Sequence, residues 1–189
     1  RTEPRARKER VTVTHHGISR HDDYAWLRVG NWQEAFRDPA VLDPAIRAQL
    51  EAENAYQERL MADTAALQKE LFAEMKGRIR EDDSSVPLRD GPYAYGTLFE
   101  IGGEQPKYFR TPAACGDREI LLDGDREAAG KAYFRIGSAD HSHDHRLLLW
   151  SYDDKGSEYY SLRVRDLQDG VDLPGETADT SGGGVWDGP

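Results

Sequence analysis

Apolar positions change their spacing once along this chain, between Gly77 and Pro87, and the change divides it into a helical part and a stranded part. Leu67, Leu71, Phe72, Met75 and Ile79 recur at i, i+4, i+5, i+8 and i+12, the stripe of an amphipathic helix. Upstream, Asp43-Pro44 is a helix start signal. Asp accepts from a free backbone N–H, and Pro at the first helical position lacks the donor that would be orphaned. Ile46, Leu50, Glu53, Asn54, Tyr56 and Leu60 then form a partly apolar stripe, and Ala62-Asp63-Thr64 marks the start of the next helix. That helix is expected to end near Arg80, because Asp82 to Ser85 are turn formers and Val86 is held extended before Pro87. Residues 1–41 read as an irregular lead-in with one short alternating strand, Val11 to Thr14, anchored by Tyr24, Trp26 and Leu27.

After Pro87 the period is close to two. Candidate strands are Tyr93–Glu100, Lys107–Pro112, Glu119–Asp123, Tyr133–Ser138, Arg146–Asp153, Tyr159–Asp166 and Val171–Leu173. Gly102-Gly103, Gly116-Asp117, Lys155-Gly156 and Asp169-Gly170 separate them as turn signals. The set from Tyr93 to Phe109 recurs weakly from Leu147 to Leu173. The offset is about fifty residues, close to the period of a four-stranded propeller blade. Val185-Trp186-Asp187-Gly188 reads as the start of another strand and turn. Two blades cannot close a ring, so the expected fold is an α+β arrangement: a helical segment followed by the first antiparallel blades of an incomplete propeller.

Composition sharpens that reading. Leu, Ile, Val and Phe make up roughly 19% of the 189 residues and the net charge is −10, close to the border below which chains struggle to fold alone. Nine Tyr and four Trp offset this, because aromatic side chains bury large areas. Residues 1–80 carry 14 Lys/Arg against 13 Asp/Glu, whereas residues 81–189 carry 11 against 22. The acidic second part argues against nucleic acid as a partner and is compatible with cationic ligands or a plain solvated surface. Cys115 is the only cysteine, so no internal disulfide forms and a reducing compartment is natural. No membrane-span pattern or signal-peptide core is visible, which points to the cytoplasm and leaves the periplasm open.

Candidate chemistry is sparse. A serine nucleophile on an α/β-hydrolase needs a strained strand-to-helix turn with flanking glycines, and no Gly-x-Ser-x-Gly occurs. Ser138 and Ser157 follow glycines but sit in strand or hairpin contexts with no helix after them, so no catalytic residue is assigned. His141, His143 and His145 alternate within Asp140-His141-Ser142-His143-Asp144-His145 and would share one face if extended, as metal ligands can. No separate carboxylate is evident to complete such a site, so this stretch reads as an inter-strand turn, with no metal and no cofactor assigned. His15, His16 and His21 read as local hydrogen-bonding residues. Asp82-Asp83-Ser84-Ser85 reads as a structural crossover whose side chains satisfy exposed backbone groups.

An ordered set of motifs carries a family resemblance. It comprises His16-Gly17, Arg20, Asp22-Asp23-Tyr24, Trp26-Leu27-Arg28, Leu50 to Tyr56, Met75, Gly77-Arg78-Ile79 and Asp82 to Pro87. Tyr133-Phe134, Ser142, Asp144, Arg146-Leu147-Leu148 and Glu158 to Leu167 continue it. Together they resemble the N-terminal part of the oligopeptidase B (protease II) branch of the prolyl oligopeptidase family of serine peptidases. His21, Val29-Gly30-Asn31 and His143-Asp144-His145 depart from that pattern and affect only local turns.

The resemblance implies a seven-bladed propeller over an α/β-hydrolase domain. Residues 1–80 would be associated with the hydrolase side, and residues 85–189 would be the first blades. The parent would cleave short basic peptides after Arg or Lys with a Ser/His/Asp triad carried elsewhere. Its partners would be those peptides, the remaining blades and the hydrolase domain, and this portion would act as scaffold and gate. A non-catalytic propeller that binds a partner is the alternative.

Overall fold

A computed structural model describes residues 2–187 and divides the chain into two compact units, Arg1–Arg78 and Ile79–Pro189.

The first unit opens with a hairpin where the sequence suggested one strand in an irregular lead-in. β1 (Val11–His15) pairs antiparallel with β2 (Ile18–Asp22), Val11 opposite Asp22 and His15 opposite Ile18. His16 and Gly17 both have positive φ, 51° and 77°, the backbone of a type I′ turn whose twist matches the strands. His21 Nδ1 lies 2.9 Å from the Thr12 hydroxyl, and Trp26 donates its indole N–H to the Arg7 carbonyl at 2.8 Å. A short helix α1 (Trp32–Arg37) follows.

Helix α2 (Pro44–Met61) begins at the expected signal: Asp43 Oδ1 accepts from the N–H groups of Ala45 and Ile46, with Pro44 in the first turn. The second expected start works differently. Residues Ala62–Thr64 form a 3₁₀ turn that leads directly into α3 (Ala65–Gly77), and the Thr64 side chain does not cap it. Its hydroxyl donates back to the Met61 carbonyl at 2.7 Å. α3 stops at Gly77, three residues before the expected end; Gly is a poor helix residue and the Arg78 N–H closes a shorter bond to the Met75 carbonyl.

The second unit holds two antiparallel sheets. The first has the order β3 (Leu88–Asp90), β4 (Tyr93–Leu98), β5 (Lys107–Pro112), β6 (Glu119–Asp123). A short helix α4 (Gly124–Ala128), capped by Asp123, leads to the second sheet. Its order is β7 (Arg135–His141), β8 (Leu147–Asp153), β9 (Tyr160–Asp166), β10 (Val171–Asp172), with β11 (Thr177–Thr180) also pairing β9. Consecutive strands pair from β3 to β6 and from β7 to β10, with only β11 returning to β9, so each sheet is built on a meander of the kind propeller blades use.

Three elements of this unit escaped the period-two reading. β3, β11 and α4 are each five residues or fewer. The strand expected at Tyr133–Ser138 runs instead from Arg135 to His141: pairing begins with Arg135 opposite Asp153 and, past a register shift between Ile136 and Ala139, continues to His141 opposite Leu148. Val185 to Asp187 form no strand, although the Trp186 indole donates to the Asp140 carbonyl at 3.1 Å; Gly188 of that expected turn lies outside the described residues.

The core lies between the two sheets. Leu121 and Leu122 of the first sheet pack with Ile136, Leu148, Trp150 and Tyr152 of the second, together with Phe134 and Leu167. Arg165 on β9 is buried against this core with its guanidinium 5.2 Å from the Trp150 ring. It is neutralised by Asp172 at 2.7 Å and Glu127 at 2.9 Å, as a buried cation requires.

Candidate functional site

A group of ionisable and aromatic side chains gathers at the seam where two hairpins of different sheets meet. The β3–β4 turn is Gly91-Pro92, with Asp90 paired to Tyr93. Gly91 has φ +55°, fitting the glycine-first pattern of a type II′ turn. Across from it is the β7–β8 connection, residues 142–146. There Ser142 donates its hydroxyl to Asp144 Oδ1 at 2.6 Å, and Ser142 Oγ accepts from the Leu147 N–H at 2.9 Å. Asp144 Oδ1 also accepts from the Arg146 N–H. These bonds hold the Asp144 carboxyl below the usual carboxylate range, the Ser142 hydroxyl contributing most.

His145 closes this turn with φ +61°, a left-handed backbone that few non-glycine residues adopt. The chain leaves β7 after His141 and turns, as the inter-strand-turn reading expects, so the three histidines do not share the one face that a fully extended stretch would give them. His141 and His145 come together with rings stacked at 5.2 Å, and His143 is not in the cluster.

The carboxylate missing from the sequence reading is Asp90. Its Oδ2 lies 2.8 Å from His141 Nε2, across 51 residues of chain. That hydrogen bond holds the Asp90 carboxyl below its ordinary value; partial burial opposes it, and the three nearby histidines add to it. Among the described residues, Asp90, His141 and His145 are the one group whose donor atoms could hold a metal ion, all within 4.8 Å of one another. No signal in the sequence joins Asp90 to the histidines, because only the packing of one hairpin on another does so.

A second layer fixes the cluster. The Tyr95 ring stacks on His141 at 3.7 Å, and its hydroxyl lies 2.8 Å from His145 Nδ1. Burial pushes the Tyr95 phenol up, with Arg110 opposing, so the hydroxyl keeps its proton at neutral pH. Arg110, itself buried, donates to the His145 carbonyl at 2.6 Å and holds Glu119 by two bonds at 2.7 and 3.2 Å. Its guanidinium also lies 4.2 Å from the Tyr93 ring centre. The cluster and its support thus come from β3, β4, β5 and the β7–β8 hairpin.

Neither glycine-flanked serine is set up as a nucleophile. Ser138 lies within β7, and its hydroxyl donates to the Gly182 carbonyl at 2.6 Å. Ser157 is buried in the β8–β9 turn near Asp153, with no histidine bonded to it. Among the described residues no helix is long and apolar enough to cross a membrane.

The family profile described as prolyl oligopeptidase, N-terminal beta-propeller domain, matches residues 3–188. Dipeptidyl aminopeptidase BI of Pseudoxanthomonas mexicana is 32% identical over 96% of this chain and 26% of its own length. Protease 2 of Moraxella lacunata is 24% identical over 82% of this chain and 22% of its own. Oligopeptidase B from Leishmania major superposes with a TM-score of 0.86 at 26% identity, covering 98% of this chain and 27% of that one. The closed form of oligopeptidase B from Trypanosoma brucei, with covalently bound antipain, gives 0.81 at 27% identity, over 98% of this chain and 27% of that one. The chain thus spans about a quarter of the length of the relatives it matches.

Proposed function

Because the chain belongs to the prolyl oligopeptidase family, through that family's N-terminal β-propeller domain, we propose that it is the propeller-bearing part of a serine oligopeptidase of the oligopeptidase B type. In this reading residues 85–189 are the first blades of a seven-bladed propeller that restricts entry to an α/β-hydrolase domain. Residues 1–80 belong with the hydrolase side. The observation that carries it is the match over residues 3–188 together with the close superposition on an oligopeptidase B.

Three features of the chain support the finer points. Leu67, Phe72, Met75 and Ile79 on and beyond α3 are each more than half exposed, an apolar stripe that a further domain would cover. The acidic excess of residues 81–189 would raise the local concentration of basic peptides by long-range attraction. The Ser138 hydroxyl donates to the Gly182 carbonyl and that of Ser157 to the Asp153 carboxylate, neither being the serine–histidine pair of a triad, which is in keeping with a triad carried elsewhere in the parent.

The test is hydrolysis of reporter peptides ending in Arg or Lys. The 189-residue chain alone is expected to show none, and the complete gene product is expected to cleave them. Absence of cleavage by the complete product, or an early stop after Pro189, would favour the non-catalytic binding propeller instead.

A further inference from the structure

We propose that Asp90, His141 and His145 form a binding site for one divalent transition-metal ion of the zinc class, which clamps the β3–β4 hairpin to the β7–β8 hairpin. The proposal is independent of the peptidase reading. It rests on donor chemistry, the second layer and the space left for the ligands.

Two imidazoles and a carboxylate suit zinc and its neighbours, which commonly take three protein ligands and one water. Tetrahedral coordination at ordinary Zn–N and Zn–O lengths places ligand atoms about 3.3 Å apart. The Asp90–His141 pair is already at 2.8 Å and all three donors lie within 4.8 Å, so modest side-chain rotations would gather them around one ion. Binding would need a lone pair of Asp90 Oδ2 and one of His141 Nε2 to turn to the metal, so any proton on Nε2 would move to Nδ1 or leave for solvent.

Ligating histidines usually donate their second ring N–H to an outer partner, which fixes tautomer and ring direction. His145 has that partner in Tyr95: if Nδ1–H donates to the phenol oxygen, Nε2 is left with its lone pair. The space at that nitrogen depends on Gly91. A Cβ there would come within 2.6 Å of His145 Nε2, so the turn residue facing the cluster has no side chain to block it. Both hairpins are held by paired strands, and the Asp90 side chain is open to solvent, which provides an entry path.

Calorimetric titration of Zn²⁺ into the 189-residue chain, paired with Co²⁺ visible spectroscopy, tests this. One ion per chain is expected, with the intense d–d bands of a tetrahedral site and a thermal midpoint raised by the ion. Asp90→Asn, His141→Ala and His145→Ala are each expected to weaken binding at least tenfold, while His143→Ala and His21→Ala leave it unchanged. Circular dichroism keeps the variants comparable, and Asp90→Asn, at an exposed position, is the one least able to disturb folding. Wild-type affinity in Asp90→Asn and His141→Ala, or loss of binding in His143→Ala, would overturn the proposal.

Discussion

Asp153 sits almost wholly out of solvent at the end of β8 and keeps its charge by collecting donors from the turn that follows. Its Oδ1 accepts from the N–H groups of Lys155 and Gly156 at 2.9 and 3.1 Å, and its Oδ2 from Glu158 N–H at 2.8 Å. Burial alone would push this carboxyl up, but the backbone donors outweigh it and the net shift is downward. A carboxyl depressed in the folded state contributes stability above its unfolded pKa and loses it as pH falls through its folded value. Urea unfolding should therefore show stability declining below about pH 4, the ordinary carboxylate range. Asp153→Asn should lower stability at neutral pH by about 2 kcal/mol, since donors aimed at a carboxylate then face an amide, and should flatten part of the acid decline. At this scale the sequence was a partial guide. Lys155-Gly156 announced the turn, but nothing near it showed that Asp153 organises it. Asp90 was less legible still, since its partner His141 is 51 positions away and the two meet only through packing.

Elements were legible where the apolar period ran long. Lys107–Pro112 and Glu119–Asp123 form at the residues their alternation indicates, and Asp43-Pro44 opens α2. Short or exposed elements left no such pattern. β3 has three residues, all exposed, so burial never imposed alternation on it. The β1–β2 hairpin is exposed along both strands and turns on His16-Gly17 instead of the common Asn-Gly, so only its first strand stood out. The α2 start offers a direct check, because one carboxylate oxygen serves two backbone donors there. Asp43→Ala should cost about 1 kcal/mol and lower the helical signal in thermal melts followed at 222 nm. Asp43→Asn or Asp43→Ser should restore most of that loss.

For the whole molecule, the Gly77–Pro87 region is where two kinds of hydrophobic period meet, and the compact units divide at Arg78 and Ile79. The family was legible in the order of the motifs from His16 to Leu167, all of which lie within the matched residues 3–188. The remaining blades and the hydrolase domain belong to the proposed account. In the proposed enzyme no catalytic group lies in residues 1–189. This is tested most directly by treating the complete gene product with a serine-reactive fluorophosphonate and locating the adduct by peptide mass spectrometry. A single adduct is expected on a serine beyond Pro189, within a Gly-x-Ser-x-Gly turn, and none within residues 1–189. An adduct on Ser138 or Ser157 would contradict it, as would a complete product that the reagent leaves unmodified.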